Sequence, residues 1–368
     1  VRVLVTGSNG FIGKNLVVRL GELSRYEVLQ FSRDNSLKDL EELVAQADAV
    51  IHLAGVNRPK DVKEFEEGNT DLTARLCAFI EASGRHVPLV VSSSIQADLA
   101  NAYGQSKRAA EEAAERLAKT TGNPVAMYRL PNVFGKWCKP NYNSVVATFC
   151  HNIANDLPIQ INDPEAALKL VYVDDVVSAF IRALEALPAG LNRAEVSPVY
   201  TITLGELAAQ IKAFCNCRDT LVSERVGHGL VRALYATYVS YLPPHKFIYD
   251  LPKYGDERGV FVEMMKTQDS GQFSFFTAYP GITRGGHYHH SKTEKFLVIK
   301  GKARFGFRHV VSGECLELFT TGEHPQVVET VPGWTHDITN VGEDEMVVML
   351  WANEIFDRAR PDTIAAMV

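Results

Sequence analysis

Two groups of residues carry spacing that chemistry would need. The first is Gly281, then His287-Tyr288-His289, then Glu294 and Gly301, with Pro332-Gly333-Trp334-Thr335-His336 farther along. Alternate residues on a strand point the same way, so His287 and His289 can share one face. Glu294 is expected on the neighbouring strand segment, and His336 from a distant strand. Three imidazoles and a carboxylate make a complete donor set for one first-row divalent metal. A lone histidine would read as a satisfied core or surface residue. The spacing of the four argues for ligands.

The second group is Tyr103-Gly104-Gln105-Ser106-Lys107. A separation of four on a helix puts Tyr103 and Lys107 on one face. An ammonium beside a phenol lowers its pKa and assists proton transfer. The run Val91-Ser92-Ser93-Ser94 closes a predicted strand and can bring a hydroxyl to the same carbonyl.

A cofactor loop precedes both. Thr6-Gly7-Ser8-Asn9-Gly10-Phe11-Ile12-Gly13 lies between a predicted strand and a predicted helix. Gly7, Gly10 and Gly13 allow a tight turn, close approach of backbone to a pyrophosphate, and close packing of helix on strand. The helix N-terminus would then face the anion with free N–H groups, those around Asn9, Phe11 and Ile12. NAD enzymes usually place an acid at the end of the second strand to bind the ribose 2′-hydroxyl. Here that strand ends Gln30-Phe31-Ser32-Arg33. Ser32 leaves the acid out, and Arg33 offers charge-assisted bonds to a 2′-phosphate, which favours NADPH.

The elements that must position these residues change character along the chain. Strands are predicted at Val1–Thr6, Glu27–Phe31, Ala49–Leu53 and Leu89–Ser92, and helices at Lys14–Leu23, Thr70–Ser83 and Gln105–Thr120. This alternation builds a doubly wound parallel sheet of α/β class. Leu204–Phe214 reads as a further helix, and Val226–Pro244 as helix followed by linker. After Tyr249, short Val-, Phe-, Thr- and Tyr-rich runs punctuated by glycine predict an all-β barrel of about ten strands. The expected domains are 1–245 and 246–368.

The chain has 368 residues, enough for two domains at roughly 100–200 residues each. A net charge of −6 argues against nucleic acid as the main partner. Six scattered cysteines form no metal or redox spacing and read as reduced thiols. No apolar run approaches the ~20 residues of a membrane span. Val1–Val5 reads as a strand entering the glycine loop rather than as a signal peptide. A cytoplasmic homodimer is the expectation.

The glycine loop, His52-Leu53-Ala54-Gly55, the serine run, the Tyr103/Lys107 pair, Arg129-Leu130-Pro131-Asn132-Val133-Phe134-Gly135 and Tyr172-Val173-Asp174-Asp175-Val176 resemble the extended short-chain dehydrogenase/reductases. The resemblance covers about residues 1–245. It implies Tyr103 as acid/base, Lys107 as its partner and Ser94 as the hydroxyl that positions the carbonyl. It also implies Leu53 and Ala54 at the cofactor, and Asn132 at the diphosphate of a nucleotide sugar. Ile95-Gln96-Ala97 replaces the Tyr-Gly usual after the serines, which implies an altered sugar pocket.

The histidine segments resemble the two cupin motifs. Asp256-Glu257-Arg258-Gly259 and Arg284-Gly285-Gly286-His287 are also similar to the deoxysugar 3,5-epimerases, in which such a histidine is the general base. His287 therefore has two competing roles, ligand or base. The whole chain resembles the CapF-type bifunctional enzymes of capsule and O-antigen synthesis. That resemblance implies C3 epimerisation of a UDP-2-acetamido-2,6-dideoxy-4-ketohexose at the cupin, then NADPH-dependent C4 reduction to the 6-deoxy-L-talose sugar. Zinc is the first expectation for the metal, because this chemistry is Lewis-acid and proton transfer without a redox step. Two alternatives are a monofunctional reductase with a structural, dimerising cupin, and a non-catalytic regulator that binds nucleotide sugar and NADPH.

Overall fold

A computed structural model of the chain describes every residue except Ile248 and Arg360. The chain divides into two compact units, Val1–Ile211 with Arg232–Pro243, and Lys212–Val231 with Pro244–Val368.

The first unit begins β1 (Arg2–Thr6), α1 (Phe11–Gly21), β2 (Glu27–Phe31), α2 (Leu37–Gln46), β3 (Ala49–His52). A short helical turn α3 (Lys63–Phe65) leads into α4 (Leu72–Ala82), β4 (Leu89–Ser94), α5 (Ala102–Thr121) and β5 (Val125–Leu130). Then come β6 (Asn132–Phe134), α6 (Val145–Ala154), β7 (Ala167–Tyr172), α7 (Val173–Ala186), β8 (Leu191–Ala194) and β9 (Tyr200–Thr203). The helix α8 (Leu204–Thr220) contains the division between the units, and α9 (Gly229–Val239) returns to the first.

Six strands form one parallel sheet in the order β2-β1-β3-β4-β5-β8. Its apolar residues are continuous, because both faces are covered. Leu4, Val50, Leu89, Val91 and Val125 pack on one side under Leu40, Leu76, Ile80, Ala114 and Leu117. Val3, Val5, Ile51, Val90 and Ala126 pack on the other under Leu16, Leu20, Val176 and Phe180. Each fully buried Leu or Val contributes about 1.5–3 kcal/mol. The chain reverses direction across β1, with β2 on one side and β3 on the other, which opens the crevice where such sheets bind dinucleotides.

The second unit is strand-rich. It comprises β10 (Val222–Ser223), β11 (Lys253–Asp256), β12 (Gly259–Thr267), β13 (Gly271–Ala278), β14 (Thr283–Tyr288) and β15 (Glu294–Lys300). Next are β16 (Lys302–His309), β17 (Cys315–Thr321), β18 (Val327–Glu329), β19 (Trp334–Asn340), β20 (Met346–Ala352) and β21 (Ile364–Ala365). One sheet runs β10-β12-β13-β20-β15-β18 with β11 beside β12, and the other runs β17-β16-β19-β14-β21. Segment 212–231 lies in this unit, with β10 pairing parallel to β12. Phe276, Phe296, Val298, Phe305, Phe307, Ile338, Met346 and Val348 fill the core between the two sheets. The architecture is a Rossmann-type unit plus a cupin barrel. Among the described residues, all six cysteines are free and no helix is long and apolar enough to cross a membrane.

Candidate functional sites

In the first unit the glycine loop is a cradle that side chains cannot enter. Gly7 has φ +70°, and a Cβ there would lie 2.7 Å from the Ala54 nitrogen. A Cβ on Gly13 would lie 2.2 Å from the Gly7 carbonyl oxygen. Gly10 caps α1 in extended conformation without a side-chain cap, so the first N–H groups of the helix remain available to an anion. These features fit a dinucleotide pyrophosphate. Arg33 is exposed just past β2, while the Asp34 carboxylate accepts a bond from the Ser32 hydroxyl at 3.3 Å.

Tyr103 and Lys107 sit in the first two turns of α5. Asn101 caps that helix by accepting from Gly104 N–H at 2.7 Å. Gly104 lets the helix lie flush on the turn after β4, since a Cβ there would come within 2.4 Å of the Leu99 carbonyl. Burial pushes the Tyr103 phenol above its ordinary value, and the Ser94 hydroxyl, hydrogen-bonded to it, pulls the other way. The phenol is therefore protonated at neutral pH. Burial lowers the Lys107 ammonium to about 8, against the opposing pull of Glu111. Lys107 Nζ donates to the Ser92 carbonyl at 3.3 Å.

Behind this pair lies a polar network. Glu111 follows Lys107 by one turn and is fully buried. It accepts from Ser93 at 2.6 Å and from Arg129 at 2.6 and 2.8 Å. Burial would raise this carboxyl, but the Arg129 and Ser93 bonds outweigh it and hold it low. Arg129 also binds Asp98, in the turn after Ser94. His52 bridges Thr6 at 2.7 Å and Thr73 at 2.9 Å, and burial followed by the Lys107 charge holds it neutral, at about 3. Asn132 stands at the start of β6 and is exposed, with its amide donating to the Lys169 carbonyl at 3.2 Å. Leu53 and Ala54 follow β3, and their N–H groups donate to the Thr6 hydroxyl at 3.2 and 3.3 Å.

In the barrel, the donor atoms of His287, His289, Glu294 and His336 all lie within 4.8 Å of one another. Two details differ from the strand placement read from the sequence. His336 is distant in sequence but is the direct cross-strand partner of His287 on β14 and β19. Glu294 opens β15, which belongs to the opposite sheet, so the carboxylate reaches across the barrel. A bulge at Gly285-Gly286 aims His287 inward, and a Cβ on Gly285 would meet the His336 carbonyl at 2.9 Å. His289 lies just beyond the end of β14, its ring centroid 4.9 Å from that of His287.

The donor set fits a divalent ion. Burial, then the neighbouring His336, lowers His287 to about 4, leaving it neutral with a free lone pair. Both His336 ring nitrogens are buried without a hydrogen bond of good geometry among the described residues, although Nε2 lies 3.4 Å from Glu294 Oε2. Burial alone would raise Glu294, but His289, His336 and Lys292 hold it well below the usual carboxylate range. Lys292 Nζ is 2.9 Å from Glu294 Oε1. A cavity of about 130 Å³ adjoins the cluster, lined by Arg284, His287, Glu294, His336 and Asp337 among others. Arg304 fixes Asp337 at 2.9 Å, and Arg284 stacks over Phe276.

The sequence reading missed Glu111 and Asp98 in the first unit, and Lys292, Asp337 and Asp362 in the second, and it named His52 only as part of a motif, without a role. Only Glu111 left a trace, as a third member of the four-residue spacing that begins at Tyr103 and Lys107.

The chain belongs to the NAD dependent epimerase/dehydratase family, which matches residues 3–196. Residues 254–364 match the polysaccharide biosynthesis C-terminal domain. It is 58% identical to the UDP-2-acetamido-2,6-beta-L-arabino-hexul-4-ose reductase of Pseudomonas aeruginosa, over 100% of this chain and 99% of that one. The crystal structure of the capsular polysaccharide assembling protein CapF from Staphylococcus aureus matches with a TM-score of 0.92 and 42% identity, over 100% of both chains. A UDP-glucuronic acid 4-epimerase from Bacillus cereus, solved with NAD, shares the fold of 66% of this chain and 98% of its own, at a TM-score of 0.56 and 17% identity.

Proposed function

We propose that the chain is a bifunctional nucleotide-sugar enzyme. Residues 246–368 epimerise C3 of a UDP-2-acetamido-2,6-dideoxy-4-ketohexose, and residues 1–245 reduce C4 with NADPH to give UDP-2-acetamido-2,6-dideoxy-L-talose. The observation that carries this reading is the presence in one chain of a Ser94/Tyr103/Lys107 site beside a glycine cradle and a four-donor cluster beside a cavity. Full-length similarity to the Pseudomonas reductase and to CapF supports it.

Gly7, Asn9, Gly10, Phe11, Ile12, Gly13, Leu53 and Ala54 would hold the cofactor and Arg33 would bind its 2′-phosphate; the chemistry it would supply is hydride for C4. Ser94 holds the C4 carbonyl by its hydroxyl. Tyr103 gives its phenolic proton to O4 as the alkoxide forms, and solvent restores it. Lys107 stabilises the transient phenolate by its charge. Asn132 contacts the diphosphate.

In the barrel His287, His289, Glu294 and His336 would hold one divalent ion, zinc first, which would supply Lewis-acid stabilisation of negative charge. The gathering of His287 with the other three supports the ligand role over the base role. Arg284, in the same cavity, is placed to donate to an enolate oxygen. The C4 ketone is what makes the C3 proton acidic, so epimerisation precedes reduction. Nucleotide-sugar and NADPH chemistry suits the cytoplasm, and a homodimer is the proposed assembly.

A monofunctional reductase with a structural metal is the second reading. The name of the Pseudomonas relative, which states reduction alone, favours it. Against it stands the cavity beside the cluster, which gives a substrate room next to the donors and which a purely structural ion would not need. NMR of products from the 4-keto sugar decides between them. Bifunctionality predicts a C3-epimerised ketone without NADPH and the reduced L-talo sugar with it. Unchanged substrate without NADPH, together with reduction at C4 of the original sugar, supports the monofunctional reading.

A further inference from the structure

The loop 289–293 joins β14 to β15 and carries a cluster residue at each end of the crossing, His289 and Glu294. It passes from one sheet to the other, so it has no strand ladder to hold it. Three consecutive N–H groups of this loop instead point at one side chain. The Asp362 carboxylate accepts from His290 N–H at 2.9 Å, Ser291 N–H at 2.7 Å and Lys292 N–H at 2.8 Å. It also accepts from the Ser291 hydroxyl at 2.9 Å.

The same residue reaches the cluster by its backbone. The Asp362 carbonyl accepts from His289 Nδ1. A carbonyl can only accept, so Nδ1 carries a proton and is not the nitrogen that would bind a metal. Nε2 is the nitrogen that faces Glu294 Oε2, at 3.2 Å. Asp362 is itself anchored. β21 pairs with β14, with Ala365 opposite His287 and Ile364 opposite Tyr288. Ala366 N–H donates to the Gly286 carbonyl at 3.0 Å, and Arg308 Nε donates to the Met367 carbonyl at 2.9 Å. The segment 362–367 therefore borders the strand of His287 and the loop of His289 together.

We propose that Asp362 is a positioning residue of the metal centre, clipping loop 289–293 to segment 362–367 and setting the tautomer and direction of His289. The inference rests on the reading of the four-residue cluster as a metal site. The clip also places Lys292, whose Nζ holds Glu294 Oε1 and turns Oε2 toward the histidines. Charge-assisted bonds to a carboxylate are roughly twice as strong as neutral ones, which suits a carboxylate at this position. Groups that orient ligands from behind commonly change metal affinity by about 10–100-fold.

The test uses the full chain and zinc or cobalt(II) in competition with a chelator. Asp362→Ala should raise the metal Kd by about 10–100-fold, Asp362→Asn by less, and Ser291→Ala by only a few-fold. The cobalt(II) absorption bands should shift in the same order, and far-UV circular dichroism controls for folding. Long-range proton–nitrogen NMR of metal-free protein should show His289 protonated on Nδ1, with mixed tautomers in Asp362→Ala. If the wild type takes up metal while Asp362→Ala and Ser291→Ala keep its Kd and spectrum, the inference falls alone. If Nδ1 of His289 carries no proton in metal-free wild type, the clip does not set the tautomer and the inference falls. If the wild type takes up no metal, the metal reading falls and takes the inference with it.

Discussion

His287 and His336 face each other as a directly paired couple on antiparallel strands, their ring centroids 4.7 Å apart. Forty-nine positions of chain separate them. A metal bound between them would join two strands of one sheet to Glu294 in the other. His336→Ala should therefore lose the metal and unfold earlier. A ligand at 100 times its Kd stabilises by about 2.7 kcal/mol, so the loss should lower the melting temperature by several degrees. Elemental analysis and a thermal melt check this. One equivalent of metal retained in the variant would contradict it.

NADPH should be preferred to NADH. Arg33 stands exposed past β2, and the neighbouring Asp34 is engaged by Ser32. Arg33→Ala should lower kcat/KM for NADPH by roughly tenfold or more, as expected for a lost charge-assisted bond of about 1.5–3 kcal/mol, and leave NADH nearly unchanged. Equal loss with both cofactors would remove Arg33 from the 2′-phosphate.

Reduction should fail at alkaline pH. Burial lowers Lys107 to about 8, so its charge is present below that pH and lost as pH rises through it. The phenolate formed when Tyr103 gives up its proton then loses its stabilising ammonium. The rate of reduction should fall with one alkaline limb near pH 8, while C3 exchange in the barrel shows no such limb. A reductase rate that is flat to pH 10 would contradict this.

Glu111 is a structural dependency of the reductase site. Removing one partner of a fully buried pair costs about 3–5 kcal/mol, and Glu111→Ala should cost somewhat less. Arg129 is about a quarter exposed and keeps Asp98 as a second partner, which moderates the loss. Denaturant melts of the reductase unit measure it. A change under ~0.5 kcal/mol would show that the network does little for stability.

Local signals were the legible part of this protein. The glycine loop and the Tyr103/Lys107 pair each lie within one element junction or helix, so spacing alone predicts their geometry. The alternation of strands and helices likewise predicts the parallel sheet, because both faces of β1, β3 and β4 need covering. The four cluster residues could be named, but not their arrangement. That His336 pairs with His287, and that Glu294 crosses between sheets, follows from barrel closure and not from spacing. Asp362 left no sequence signal, since its partners are backbone N–H groups about seventy positions away. Arg129 was visible only as part of a motif, and its pairing with Glu111 and Asp98 depends on the β4–β5 register.

Deuterium incorporation at C3 of the 4-keto sugar, followed by NMR in D₂O without NADPH, tests the two-site account most directly. Wild type and Tyr103→Phe should exchange C3 at the same rate, while Tyr103→Phe loses reduction by about 10²–10⁴-fold when NADPH is added. No exchange at C3 in metal-loaded wild type, or loss of exchange in a folded Tyr103→Phe, would contradict it.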